Sequence, residues 1–141
     1  MTADAPTRPL PELRNFGRDY WRAAAKGTLV VPLCRDCGAT FWHPRPRCPH
    51  CGSSAVEWRQ HPGNGTVHTF TVIRQSQDPF FKSKVPYAVA MVQLDNGPLV
   101  MSNLADCEVD AIKIGMRVKV MFEPVTEELA IPMFKPDPGA A

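Results

Sequence analysis

A chain of 141 residues, 44% hydrophobic and 21% charged, reads as one domain of ordinary size or two small modules, not as a disordered or fibrous polymer. Its formal charge of +2 is unevenly spread: residues 1–60 hold nine Lys/Arg against five Asp/Glu, residues 61–141 seven against nine. The larger C-terminal part is therefore acidic, which argues against a single-strand nucleic-acid groove there, and no stretch reads as a membrane span or a secretory leader.

Residues 1–10 are polar and proline-rich and predict a disordered start. Residues 11–26 predict a helix. Phe16, Tyr20, Ala23 and Ala24 recur at helical spacing with Trp21 beside them, and Gly27 supplies the stop. Arg14, Arg18, Arg22 and Lys26 form a separate basic stripe. An aromatic face on so short a helix either packs on its own domain or docks on a partner protein. Phe16, Tyr20 and Trp21 are the candidate interface residues.

Residues 28–60 carry the strongest signal. Cys34/Cys37 and Cys48/Cys51 are two Cys-x-x-Cys knuckles, each followed directly by a glycine, Gly38 and Gly52. Four thiolates on two tight turns make a soft tetrahedral cage that suits Zn²⁺. The glycines let the backbone turn back so that amide N–H groups point at sulfur. With four thiolates bound, the zinc has no vacant position for water or substrate, so the predicted role is structural, one ion per chain. His43 and His50 lie within this segment and read as surface or supporting residues. Leu29–Leu33 and Phe41–Trp42 predict short flanking strands, and Trp42 and Trp58 a cover for the ribbon's small core. Two disulfides or a redox pair are the competing readings; nothing around the cysteines resembles a thioredoxin-like βαβ unit. A zinc site with reduced thiols predicts a cytoplasmic protein. Four thiolates and one Zn²⁺ also bring the formal charge to near zero.

From Gly63 the period becomes strand-like. Thr66–Arg74 predicts the first of five strands. A loop follows through Pro86. Tyr87–Leu94 and Leu99–Leu104 predict a hairpin about the Asp95-Asn96-Gly97-Pro98 turn, and residues 105–115 a polar connection with one helical turn. Arg117–Val125 and Leu129–Pro136 complete the set, with Pro132 predicting an edge position for the last strand. Five strands with a longer third connection fit a small Greek-key barrel of the OB type over residues 61–136, and residues 137–141 read as a flexible tail. The predicted class is mainly β: N-terminal tail and helix (1–27), rubredoxin-like zinc ribbon (28–60), five-stranded OB-fold barrel.

The order of these segments resembles a known family. The Tyr20-Trp21 pair comes first, then GTLVVPLCRDCGATFWHPRPRCPHCGS, GNGTVHTFTV, VPYAVAMVQLDNG, IGMRVKVMFE and MFKP, from Phe16 to Pro136. Together they are similar to DUF35, the zinc-ribbon and OB-fold proteins associated with acyl-CoA enzymes. The resemblance implies a small accessory subunit of a thiolase-fold partner, in a heterotetramer that acts on acyl-CoA thioesters. Partner classes include thiolases, a mevalonate-pathway synthase and aldolases that shorten steroid side chains. It also implies help in holding the CoA part near a catalytic group on the large subunit. A CoA site needs basic groups for phosphates and an aromatic surface for adenine or pantetheine. Arg74, Phe80, Phe81, Lys82, Lys84 and Tyr87 offer that mixture, with Phe80 and Phe81 alternatively capping the barrel or meeting a partner.

No catalytic constellation is predicted. The sequence has no Ser-His-Asp arrangement, no phosphate loop leading into a helix and no carboxylate cluster. His61 and His68 read as surface or packing residues, and Cys107, with no basic neighbour, as a small hydrophobe. The alternatives are a nucleic-acid-binding ribbon/OB module and a stand-alone thioesterase using a histidine or Cys107. The first is disfavoured by the acidic barrel half, whose strand runs carry few basic residues: Arg74, Arg117 and Lys119, with Lys135 near the end of the last.

Overall fold

The computed structural model describes residues 7–139. The expected disordered start is thus described only from residue 7, and residues 1–6 and 140–141 lie outside the described part. A 3₁₀ turn at Asn15–Gly17 leads into helix α1 (Arg18–Ala25). The helix is shorter than the predicted 11–26 because Asn15 sits at φ 59°, a left-handed conformation that cannot continue a helix. Gly27, at φ 78°, ends it as expected.

Strands β1 (Leu29–Cys34) and β2 (Val56–His61) form a two-stranded antiparallel sheet in register Leu29↔His61 to Cys34↔Val56. The second ribbon strand is therefore not Phe41–Trp42. Thr40 makes one bridge to Leu33, and the sheet partner of β1 is VEWRQH, whose polar residues concealed it. Phe41 instead fills the ribbon core with Cys34 and Cys48, Val56 packing against them.

Five strands close into a barrel: β3 (Asn64–Ile73), β4 (Tyr87–Leu94), β5 (Leu99–Leu104), β6 (Arg117–Thr126) and β7 (Leu129–Pro136), in order β3-β4-β5-β7-β6. β6 returns to pair with β3 at Asn64–Thr66. This is the OB arrangement, with a 3₁₀ turn (Val109–Ala111) in the long connection before β6. β7 is not an edge strand. It pairs with β6 along its length and reaches parallel β5 only at Leu104↔Phe134. Pro132 costs no ladder bond, because its carbonyl takes the Ser102 hydroxyl and the β5–β7 seam is otherwise nearly unpaired. The loop before β4 holds one unpredicted turn of helix, α2 (Pro79–Lys82). Asp78 caps it by accepting from the Phe80 and Phe81 amides at 2.9 and 3.2 Å.

Ribbon and barrel share a core. Leu29 and Val31 of β1 join Val67, Ala88, Ala90, Val92, Leu94, Val118 and Phe134, with Tyr20 and Trp42 packed against this cluster. Helix α1 lies across β7 and touches β1 and β6, so it fastens the two parts together. His61, the last residue of β2, also ties the two parts together. Its Nδ1 accepts from the Gly63 amide at 2.9 Å, so Nε2 carries the hydrogen donated to the Asp95 carbonyl at 2.7 Å. The Asp95 carboxylate is held by the Arg117 guanidinium, which also donates to Thr66 Oγ1 at 2.9 Å. This pairing holds the Asp95 carboxyl below the usual carboxylate range.

Gly65 marks a close approach of two barrel backbones. A Cβ there would stand 2.7 Å from the Gln93 carbonyl oxygen and 2.8 Å from Val92 Cγ1. Because one of these atoms is backbone, relief requires the β3–β4 pair to part. Gly65→Ala is expected to cost about 2 kcal/mol, within the range for overpacking a core. Thermal unfolding against wild type measures it.

Candidate metal centre and ligand pocket

The four predicted ligands converge. Cys34 ends β1 and Cys37 follows in its turn; Cys48 and Cys51 occupy the second turn before β2. All four Sγ atoms lie within 4.8 Å of one another, with Cys34–Cys51 and Cys37–Cys48 at 3.6 Å. Zinc–sulfur bonds of about 2.3 Å require tetrahedral edges of about 3.8 Å, so the donor set fits one ion. Gly38 and Gly52 sit at φ 75° and 78°, and their amides donate to the Cys34 and Cys48 carbonyls at 2.8 and 2.9 Å. The turns thus closed leave later amides free for sulfur; the His50 amide donates to Cys48 Sγ at 3.3 Å.

The protein alone does not hold four thiolates equally. The Cys37 amide, helped by that of Asp36, pulls the Cys34 thiol down to about 7 against the effect of burial. At Cys51 the Ser53 amide favours the thiolate, but the neighbouring Cys34 sulfur and burial push the thiol up to about 12. A divalent cation at the centre is what lets all four ionise together. His43 and His50 are exposed, outside the cage. The four cysteines are positioned to bind one metal ion, and they saturate it.

The second candidate site is assembled only in part. Phe80, Lys84 and Tyr87 line a cavity of about 190 Å³ with Arg8, Phe81, Asn103, Leu104, Glu123 and Met133. Arg74 and Lys82 are exposed and do not line it. Phe80 and Phe81 meet edge to face at 5.1 Å, and Phe81 lies 5.7 Å from Tyr87. Neither phenylalanine belongs to the barrel core cluster. The sequence reading missed Arg8, because it lies in a proline-flanked polar tail with no local pattern pointing at the barrel.

The interface candidates divide. Phe16 stacks on Trp58 at 5.1 Å, and Tyr20 contacts Trp42 at 4.9 Å and Trp58 at 6.3 Å, so both have cover within the chain. Trp42 and Trp58 consequently serve this junction more than the ribbon core for which they were expected. Trp21 lines an open cavity of about 420 Å³ with Trp42, His43, Met101, Ile131 and Pro132. His68 is exposed at the irregularity in the β3–β4 pairing. Cys107 packs against the barrel core; burial and the flanking Asp106 and Glu108 push its thiol up, the opposite of what a nucleophile needs.

Two family models match: the rubredoxin-like zinc ribbon domain of ChsH2 over residues 21–57, and the C-terminal OB-fold domain of ChsH2 over residues 58–123. A DUF35 domain-containing scaffold protein of Methanothermobacter thermautotrophicus is 38% identical over 101 residues, 71% of this chain and 75% of that protein. A "Probable enoyl-CoA hydratase alpha subunit" of Thermomonospora curvata is 33% identical over 129 residues. That match takes in 92% of this chain but only 40% of the Thermomonospora protein, which is much longer. Among solved structures, a chain of an Ltp2-ChsH2(DUF35) aldolase superposes with TM-score 0.80 and 32% identity, covering 90% of this chain and 98% of that one.

Proposed function

The chain belongs to the DUF35 family, and on that premise we propose that it is an accessory subunit of a thiolase-like or hydratase complex acting on acyl-CoA thioesters. The observation that carries this reading is the near-complete overlap with a chain of the Ltp2-ChsH2(DUF35) aldolase. The site chemistry agrees. A metal bound by four cysteines has no open position, and among the described residues no Ser, Thr or Cys side chain is hydrogen-bonded to a histidine ring, while the Cys107 thiol is pushed up. The chain's contribution is then to stabilise a thiolase-fold subunit, in a heterotetramer with two copies of each chain, and to help hold the CoA thioester. The aldolase resemblance favours carbon–carbon cleavage that shortens an acyl or steroid side chain. A hydratase partner is the second reading, favoured by the likeness to the Thermomonospora subunit. Reduced thiols at the metal favour a reducing compartment such as the cytoplasm. Among the described residues, no helix is long and apolar enough to cross a membrane.

Affinity capture from the native host tests the reading. The expected result is a co-purifying thiolase-fold or hydratase subunit, with thioester turnover in the complex and background turnover in this chain alone. Capture of neither class, or turnover by the isolated chain that Cys107→Ala or His68→Ala abolishes, overturns it.

A further inference from the structure

Arg8 stands where the ligand loop needs a cation. Its guanidinium carbon lies 5.4 Å from the Phe80 ring centroid and 5.7 Å from that of Phe81. Nη1 donates to Glu123 Oε2 at 3.2 Å, across 115 residues of sequence. The Arg8 side chain is only 16% exposed, against 43% for Glu123, so a residue of an irregular N-terminal segment is held in place on the barrel. Lys84 Nζ lies 5.4 Å from the same Phe80 centroid. Two cations thus share one aromatic ring, and one carboxylate among the lining residues answers them, which leaves the pocket a net positive charge. Cation–π contacts of this kind are worth about 0.5–2 kcal/mol each, enough to position a guanidinium but not to neutralise it.

We infer that Arg8 is a ligand-binding residue of this pocket: with Lys84 it takes the phosphates at the nucleotide end of CoA, the adenine stacking on Phe80. This rests on the proposed CoA role and assigns the phosphate contacts to Arg8 and Lys84, not to Arg74 and Lys82. The cavity, at about 190 Å³, is smaller than the roughly 300–1,000 Å³ of pockets that enclose a whole ligand. It therefore holds one end of the molecule and leaves the pantetheine arm outside, toward a large subunit. Glu123 orients the guanidinium while the pocket is free, and a phosphate, carrying more charge, replaces it as partner. The segment before α1 is in this way part of the site.

Equilibrium binding of free CoA and of pantetheine, which has no phosphate, to the full-length chain in its native complex provides the test. Arg8→Gln and Lys84→Gln are each expected to weaken CoA about tenfold at low salt, as for a lost charge-assisted hydrogen bond, and to leave pantetheine unchanged. Arg74→Gln and Lys82→Gln are expected to bind CoA as wild type does. Zinc content should stay at the wild-type value, and unchanged pantetheine binding excludes misfolding as the cause. If Phe80→Ala weakens CoA while Arg8→Gln does not, the pocket stands and the inference about Arg8 is wrong. If Phe80→Ala also binds normally, CoA is held elsewhere and the reading beneath the inference fails with it. Equal weakening of CoA and pantetheine by Arg8→Gln would likewise overturn a phosphate role.

Discussion

Cys34→Ser is expected to remove the zinc and the fold of the ribbon together. The ribbon's own core consists of Cys34, Phe41 and Cys48 with Val56 against them, and two of these four residues are metal ligands. So small an apolar cluster cannot offset the conformational entropy of the segment, on the order of 1–2 kcal/mol for each ordered residue. Zinc supplies the difference, because binding to such a site contributes on the order of 10 kcal/mol that is in effect folding free energy. Loss of one thiolate leaves a charged, open site with too few ligands. The damage should extend beyond the ribbon, since Leu29 and Val31 enter the barrel core. Metal analysis should therefore fall from one zinc per chain to near none, and the barrel should melt at a lower temperature. His43→Ala and His50→Ala, both at exposed positions, should keep full zinc. A Cys34→Ser protein that retains its zinc, or a wild type that carries an iron–sulfur cluster instead, would refute the assignment.

What the sequence revealed followed the density of local rules. Two cysteine pairs with glycines at fixed offsets prescribe turns and ligands within a few residues, and they lie where expected. The barrel strands showed themselves by alternation, as Ala88, Ala90, Val92 and Leu94 do on the inner face of β4. Failures came where a residue's role depends on something distant. Pro132 obeys a local rule that predicts an edge, but the closed barrel leaves a seam beside it. β2 has a polar composition because one face looks to solvent, and its register comes from β1. Arg8 and Glu123 meet only once the barrel is built. Of the candidate pocket's lining, the residues on the Phe80–Tyr87 loop stood out in the sequence, and those from the N-terminal segment and β6 did not. Asp78-Pro79 was a readable helix start that the loop reading passed over: a capping carboxylate followed by proline at the first helical position.

Tyr20 and Trp21, neighbours in sequence, are expected to fail in different ways when truncated. Tyr20 projects from α1 between Trp42 of the ribbon loop and Trp58 of β2, and packs against the barrel core. Burial pushes its phenol above the usual tyrosine range, consistent with a ring enclosed by the chain itself. Tyr20→Ala removes the wedge that joins helix, ribbon and barrel. It should destabilise the isolated chain by about 3 kcal/mol, the lower end for truncating a buried aromatic. Trp21 contacts Tyr20 edge-on at 4.9 Å but otherwise borders the open cavity with Met101, itself 54% exposed. Trp21→Ala should change the isolated chain's stability by no more than about 1 kcal/mol, the common size of a point-mutation effect. If that face meets the large subunit, the same substitution removes an aromatic anchor and should weaken assembly by about 2 kcal/mol, close to thirtyfold in affinity. Thermal melts of the isolated variants and titration against the large subunit separate the two effects. Should Trp21→Ala assemble like wild type, the docking face lies away from α1. Should Tyr20→Ala melt like wild type, the aromatic junction does not hold the ribbon to the barrel.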